Sequence, residues 1–287
     1  MNDLHSQDLQ AGLSRLTVRA WRMHLEPQDL PVTVPMLRGV WGAALHDLDG
    51  LLYDILFEGR PLGAPGYLLR PAGNPASDGV CFDFLLFGPL DGRGVSRVWA
   101  AWDLALQRGL GRFRQPGRLR NLQPLAWDGS PLATSRHHPG FPLHPLAWPT
   151  RLDRPSRLVF PTPVRLLREE VLVTSPTLAD LTIATLRRFK AQAPEAARAA
   201  FESRHRWLEL ARDVPALPFV GRPCDLVRYS GRQQCEIELR GMVGELTLPQ
   251  GPGPLADLLL AATWLHVGKS TVQGLGMLSI VGEPPML

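Results

Sequence analysis

The strongest constraint on how this chain folds is an order of hydrophobic periodicities that occurs twice. Strand-like alternation in "RLTVRAWRMHL" (15 to 25) is followed by apolar residues at helical spacing in "VPMLRGVWGAALHDLDGLLYDILFEG" (34 to 59). Strand character returns in "GYLLRP" (66 to 71) and "VCFDFLLFG" (80 to 88), helical character at 94 to 109, and an extended pattern at 117 to 127. The second half repeats the order. It has a strand at 157 to 167, a helical stretch at 177 to 213 divided near Pro194, strands at 225 to 230 and 235 to 249, a short helix at 253 to 266 and a closing strand, "GMLSIVG". Between the halves, "SPLATSRHHPGFPLHPLAWPTRLDRPS" (130 to 156) reads as a linker or long loop, because each proline removes a donor and restricts the residue before it. Two βαββαβ units predict an α+β chain of tandem ferredoxin-like, RRM-like domains at 1–129 and 157–287. A single α+β domain whose halves are alike by chance accounts for the same pattern.

A chain of 287 residues, 45% hydrophobic, has enough apolar material for either arrangement. A net charge of +4 and a pI near 9.3 favour anionic partners without requiring them. Only Lys190 and Lys269 are lysines among the 31 basic residues, which fits a GC-rich genome better than selection for bidentate phosphate contacts. The three cysteines form no CxxC pair, so neither a disulfide framework nor a zinc ribbon is expected. The polar N-terminus and the lack of a run near ~18 apolar residues disfavour secretion and membrane insertion, and the expected location is cytoplasmic.

"LHVGKSTVQGLGML" (265 to 278) contains the Gly-Lys-Ser-Thr tail of a nucleotide-binding P-loop. A P-loop needs GxxxxGK[ST] after a strand and before a helix; here Thr263 stands at the first glycine position, and the flanking periodicities run helix then strand. Nucleotide hydrolysis is therefore not expected. What remains is Gly268, five residues that include Lys269, then Gly274, Leu275 and Gly276. Glycines flanking polar residues let a backbone approach a sugar-phosphate chain closely, which makes Gly268, Lys269, Ser270, Thr271, Gln273, Gly274 and Gly276 candidate RNA contacts. Taken alone, a helix C-cap at Gly268 with a tight turn or bulge at Gly274 and Gly276 is the simpler reading.

The stretch does not stand alone. "HVGKSTVQGLG" resembles the C-terminal GhGxxxxxGhG loop of the CRISPR-associated endoribonucleases that process precursor CRISPR RNA, the sixth Cas family of the RAMP superfamily, except that His266 replaces the first glycine. "PMLRGVWGAALHDL", "GLGRFRQPGRLR", "FPTPVRLL", "VRYSGRQ" and "GMVGELTL" match further family segments in the family's order. The resemblance implies CRISPR repeat RNA as partner, in precursor and mature form, and a product that stays bound. It also implies cleavage without metal or other cofactor, by attack of the RNA's own 2'-OH on the adjacent phosphate. A non-catalytic RNA-binding subunit of a CRISPR effector complex is the alternative, with other subunits of that complex as partners and no membrane role.

That chemistry needs groups that move protons and stabilise a charged phosphorane. The resemblance implies a catalytic histidine on or near the first helix, facing the glycine-rich loop across the domain junction, and His46 occupies that region. On a helix over 36 to 55, Leu37, Trp41, Ala44, Leu48, Leu51 and Ile55 form one apolar stripe, and His46 projects away from it. Gly42 and Tyr53 share the face of His46, the glycine to admit an RNA backbone and the phenol to assist proton transfer. His24, at the end of the first strand, is the runner-up base. His137, His138 and His144 lie among prolines and read as loop rather than metal ligands. Arg112, Arg114, Arg118 and Arg120 are clustered candidates for phosphate contacts, with Phe113 available to stack on a base or to pack in the core. Arg38 is a weaker candidate.

Overall fold

A computed structural model describes residues 2–26, 31–59, 64–72, 80–143, 154–230 and 235–282. The first half contains helix α1 (Asn2–Arg15), strand β1 (Thr17–Leu25), α2 (Val34–Leu48), α3 (Gly50–Tyr53) with a π-helical turn (Asp54–Glu58), β2 (Tyr67–Pro71), β3 (Val80–Phe87), α4 (Gly92–Arg108), β4 (Leu119–Pro124) and a short β5 (Phe141–Pro142). These strands form one antiparallel sheet in the order β2-β3-β1-β4, with β5 also paired to β1. That is the ferredoxin-like order, in which the two helical crossovers place both central strands side by side.

The second half contains β6 (Ser156–Val164), a small hairpin of β7 (Leu167–Arg168) and β8 (Val171–Leu172), α5 (Leu178–Gln192), α6 (Arg198–Glu202), α7 (Arg204–Asp213), β9 (Val220–Ser230), β10 (Cys235–Leu248), α8 (Ala256–Leu265) and β11 (Ser279–Gly282). Its antiparallel sheet runs β11-β6-β10-β9, which repeats the order of the first. The tandem ferredoxin-like expectation is borne out. The single-domain alternative is not.

Two compact units result: Leu16–Leu143 with Val272–Gly274, and Met1–Arg15 with His144–Thr271 and Leu275–Leu287. This division departs from domains cut at 1–129 and 157–287 in two ways. Helix α1 groups with the second half, where Leu9 and Leu13 are buried, Gln10 donates to Asp257 at 2.8 Å, and Gly12 leaves no room for a Cβ beside the Ala196 carbonyl. The supposed linker is also part of the first unit as far as Leu143, because β5 pairs with Thr17 and Val18 and the Leu143 N–H donates to the Leu16 carbonyl.

In the first unit, one face of the sheet packs against α2 and α4. Trp21 and Met23 of β1, Phe84 and Leu86 of β3, Leu37, Trp41 and Leu45 of α2, and Val98, Trp102 and Ala105 of α4 are fully buried in a single cluster. Trp41 and Trp102 stack across the helices with ring centroids 5.4 Å apart. Each such side chain contributes about 1.5–3 kcal/mol by leaving water. Thr33 caps α2 and Asp91 caps α4, each accepting a backbone N–H of the first turn.

The helix expected over 34 to 59 does not run through. Asp49 leaves the helical region at φ −159°, ends α2, and accepts the Leu52 N–H to start α3. The break rotates the stripe: Leu37, Trp41 and Ala44 are buried, but Leu48, Leu51 and Ile55 are exposed, and Leu52 and Leu56 take over the inner positions. Gly42 also differs from its expected role. A Cβ there would stand 2.6 Å from the Phe57 ring, so its smallness accommodates that ring and no RNA backbone.

The opposite face of this sheet carries a buried charge. Asp83 of β3, 1% exposed, sits across from Arg22 of β1 and Arg70 of β2. Arg22 donates to both carboxylate oxygens at 2.8 and 3.2 Å, and Arg70 donates at 3.1 Å. Removing one member of such a group leaves uncompensated charge in the interior. Asp83→Ala is expected to destabilise the protein by about 3–5 kcal/mol in urea unfolding; a loss below about 1 kcal/mol would show that the arginines reach water without it.

Candidate functional site

His46 lies in the last turn of α2 and is exposed, its ring packed edge-on against Tyr53 at 5.1 Å between centroids. Tyr53 in turn stacks on Phe57 at 4.7 Å. The sequence pairing of His46 with Tyr53 therefore holds in space. Asp47 lies beside the imidazole, 3.8 Å from Nδ1, and accepts from Arg108 at 2.6 Å. That hydrogen bond holds the Asp47 carboxyl below its usual range. It also ties the end of α2 to the end of α4, since Arg108 is the last residue of α4.

Immediately after Arg108 the chain makes a tight excursion. Leu110 and Gln115 pair as an isolated bridge, Gly109 and Gly111 take positive φ, and Arg114 is forced to φ 50°. Gly109 cannot be replaced without collision, because a Cβ would lie 2.1 Å from the Arg114 carbonyl oxygen. The excursion exposes Arg112 and Arg114, Arg118 and Arg120 are exposed where the chain enters β4, and Phe113 is 84% exposed. Phe113 is thus not a core residue, and an exposed ring among arginines is the arrangement that stacks bases and neutralises phosphates. Arg38 differs from the other four. It is half-buried, with its guanidinium over the Phe57 ring at 5.2 Å and close enough to Tyr67 to oppose the rise that burial imposes on the phenol's pKa.

The glycine-rich stretch of the second half is closed by its own backbone. Val267 N–H donates to the Gly276 carbonyl, Gly276 N–H to Pro163, Lys269 N–H to Arg165, and Met277 N–H to the Thr162 hydroxyl. Gly268 at φ 92° and Gly276 at φ 70° take left-handed conformations, and a Cβ at Gly276 would fall 1.9 Å from the Val267 oxygen. Thr271, Gln273, Gly274 and Gly276 are buried; Gly268 and Ser270 are half-buried, and Lys269 is exposed, with Nζ 3.2 Å from a Glu170 carboxylate oxygen. The turn is real, but the helix C-cap falls at His266 and not at Gly268, and two of the N–H groups offered to a ligand on sequence grounds, those of Lys269 and Gly276, serve the fold.

His266 answers for the missing first glycine. It is fully buried at φ 59°, a left-handed angle where glycine is usual, and its Nδ1 lies 2.9 Å from the Leu275 carbonyl across the neck of the loop. His24 on β1 is half-buried with Nε2 4.0 Å from the Cys81 sulfur. His144 falls outside the described residues, and among those described no cluster of His, Cys, Asp or Glu suits a metal. No described helix is long and apolar enough to cross a membrane.

The class this fold defines is a tandem ferredoxin-like α+β protein. Residues 158–278 match the family described as CRISPR-associated endoribonuclease Cas6. By structure, the chain is similar to the Cas6 TTHB231 product complex, with 17% identity, 93% of this chain and 99% of that one covered, and a TM-score of 0.61. Thermus thermophilus Cas6 TTHB231 gives 16% identity, the same coverages and a TM-score of 0.57. A Cas6-RT-Cas1–Cas2 complex gives 16% identity and a TM-score of 0.57, over 96% of this chain and 30% of that one. No curated protein matches by sequence. The family match covers residues 158–278, in the second half of the chain, and the fold shared with the Cas6 structures extends over 93–96% of it.

His138, which reads from sequence as a loop residue, is a core residue, 5% exposed and edge-on to Trp21 at 5.3 Å. Its Nδ1 accepts the Gly140 N–H at 2.8 Å, so Nε2 carries the proton and donates to the Leu125 carbonyl at 2.9 Å. Burial lowers its pKa from the ordinary 6.5. The unfolded chain therefore binds a proton first as pH falls, and the stability from neutral His138 is present above about 6.5 and lost below it. Urea unfolding is expected to show that loss between about pH 7.5 and 5.5, and His138→Gln is expected to flatten it; an unchanged pH profile in the variant would contradict the assignment.

Proposed function

We propose that the chain cuts CRISPR repeat RNA in precursor transcripts by 2'-OH attack on the adjacent phosphate, without a metal ion, leaving 2',3'-cyclic phosphate and 5'-OH ends. The observation that carries this reading is the exposed His46 against Tyr53, on the same unit as the arginine-bearing turn after α4. His46 serves as acid or base, and Tyr53 assists proton transfer. Asp47 is the charged neighbour of His46 and is itself restrained by Arg108, which limits how far it can follow the ring. Arg112, Arg114, Arg118 and Arg120 hold phosphates, Phe113 stacks on a base, and in the second unit Lys269, with Gly268 and Ser270, touches the backbone. An exposed ion pair such as Lys269 with Glu170 is worth little, so a phosphate can displace the carboxylate. The cleaved RNA stays bound through these same residues, as in the Cas6 product complexes to which the fold is similar, and the Cas6-RT-Cas1–Cas2 complex supports association with other CRISPR proteins.

Purified protein mixed with its cognate repeat RNA in EDTA is expected to yield a 2',3'-cyclic phosphate. His46→Ala is expected to slow single-turnover cleavage by about 10²- to 10⁴-fold with RNA affinity retained. Tight binding with no product from the wild-type protein would leave the alternative, a non-catalytic RNA-binding subunit of an effector complex. Full activity of His46→Ala would remove that residue from the mechanism.

The arginine turn makes a separate electrostatic prediction. Replacing Arg112, Arg114, Arg118 and Arg120 by Gln is expected to reduce the slope of log affinity against log salt by about 0.7–0.9 for each phosphate that the variant no longer neutralises. An unchanged slope in filter binding would place the RNA elsewhere.

A further inference from the structure

Arg188 on α5 is a half-buried cation without a carboxylate partner among the described residues. Its Nη2 is buried and makes no hydrogen bond to any of them, and its Nε reaches only the Leu265 carbonyl at 3.4 Å. Burial alone pulls its pKa down to about 10. Desolvating an unpaired guanidinium nitrogen is costly, and an oxyanion from outside the chain would offset that cost.

The surroundings of Arg188 fit that account. It lines a cavity of about 530 Å³ together with Arg165, Arg168, Arg187 and Lys269, against the carboxylates of Glu169 and Asp180. Asp180 is already committed: it accepts from the Thr177 N–H and hydroxyl and from Arg168 at 2.8 Å. Arg165 donates to the Arg240 carbonyl, and Lys269 faces Glu170. Arg187 and Arg188 are left against Glu169 alone, so the cavity keeps an excess of positive charge and of N–H donors. Planar guanidinium forks match tetrahedral oxyanions bidentately.

We propose that this cavity binds a phosphate-class oxyanion, with Arg188 as its counter-charge and the exposed Arg187 beside it. The volume exceeds that of one phosphate, which leaves space for an ester substituent. The cavity is built wholly from the second unit, whereas His46 and Tyr53 belong to the first. The site shares Gly268 and Lys269 with the RNA contacts proposed above, but none of the groups that move protons. The phosphate could be a free one or a phosphodiester of bound RNA.

Isothermal titration with inorganic phosphate, at ionic strength held constant with chloride, tests the site without RNA. Saturable binding is expected in the wild-type protein, weakened about tenfold or more by Arg188→Met and several-fold by the surface substitution Arg187→Gln. In phosphate-free buffer Arg188→Met is expected to unfold at the same or a higher temperature than the wild type, a result that a structural role for the guanidinium would reverse. Phosphate is expected to raise the unfolding temperature of the wild type more than that of Arg188→Met. An RNA oligonucleotide unrelated to the repeat separates the sources. Competition with phosphate, and a salt slope lower by about one in Arg188→Met, would assign the site to a phosphodiester; identical RNA binding would assign it to free phosphate. Absence of saturable phosphate binding in the wild type, or equal phosphate affinity in Arg188→Met, would overturn the proposal, whatever the outcome of the cleavage assay.

Discussion

The buried carboxylate of Asp83 fixes the register of three strands at once. It is opposite Arg22 on one side and Arg70 on the other, so β1, β3 and β2 can align in only one way without leaving a charge unpaired. Register matters here because successive side chains point to opposite faces, and a one-residue slip would carry Arg22 into the cluster now filled by Trp21 and Met23. The apolar face that this alignment preserves is the platform on which α2 and α4 pack.

Both helices end near the same place, and their last residues are joined. Arg108 closes α4 and holds Asp47 of α2, so the position of His46 beside Asp47 depends on a hydrogen bond from the helix that launches the arginine turn. The turn is set by conformation more than by charge. Gly109 must approach the Arg114 carbonyl, and the bridge between Leu110 and Gln115 lifts the four residues between them away from the core. A histidine with an aromatic neighbour and a protruding basic turn are thus two outcomes of one helix pair.

Much of this was legible in the sequence, for definite reasons. The strands and helices of both halves followed from clean period-two and helical spacing, and the helix starts at Thr33, Asp91 and Thr177 carry capping residues. The pairing of His46 with Tyr53 survived even though the helix between them breaks at Asp49. The break itself was hidden: the stretch from Leu48 to Ile55 is apolar enough to read as one stripe, and only the Asp49 side chain reveals where the inner positions switch. Helix α1 escaped notice because it offers few apolar residues, and its partners, Ala196 and Asp257, lie far along the chain. Arg188 was invisible for a related reason. Nothing in "TLRRFKAQ" tells which of two adjacent arginines turns inward.

The glycine-rich stretch shows how a spacing argument can be right about geometry and incomplete about purpose. Gly268 and Gly276 are required by close backbone approach, as the spacing implied, but the approaching backbone is the chain's own, at Arg165 and Val267. His266 makes this concrete. A side chain at φ 59° carries a conformational cost that glycine avoids, and the buried imidazole offsets it by bonding the Leu275 carbonyl where the loop closes on itself. The imidazole thus adds a tie that glycine cannot supply. A loop stiffened at its neck presents Lys269 and Ser270 from a fixed base, which lowers the ordering cost of any anion they meet.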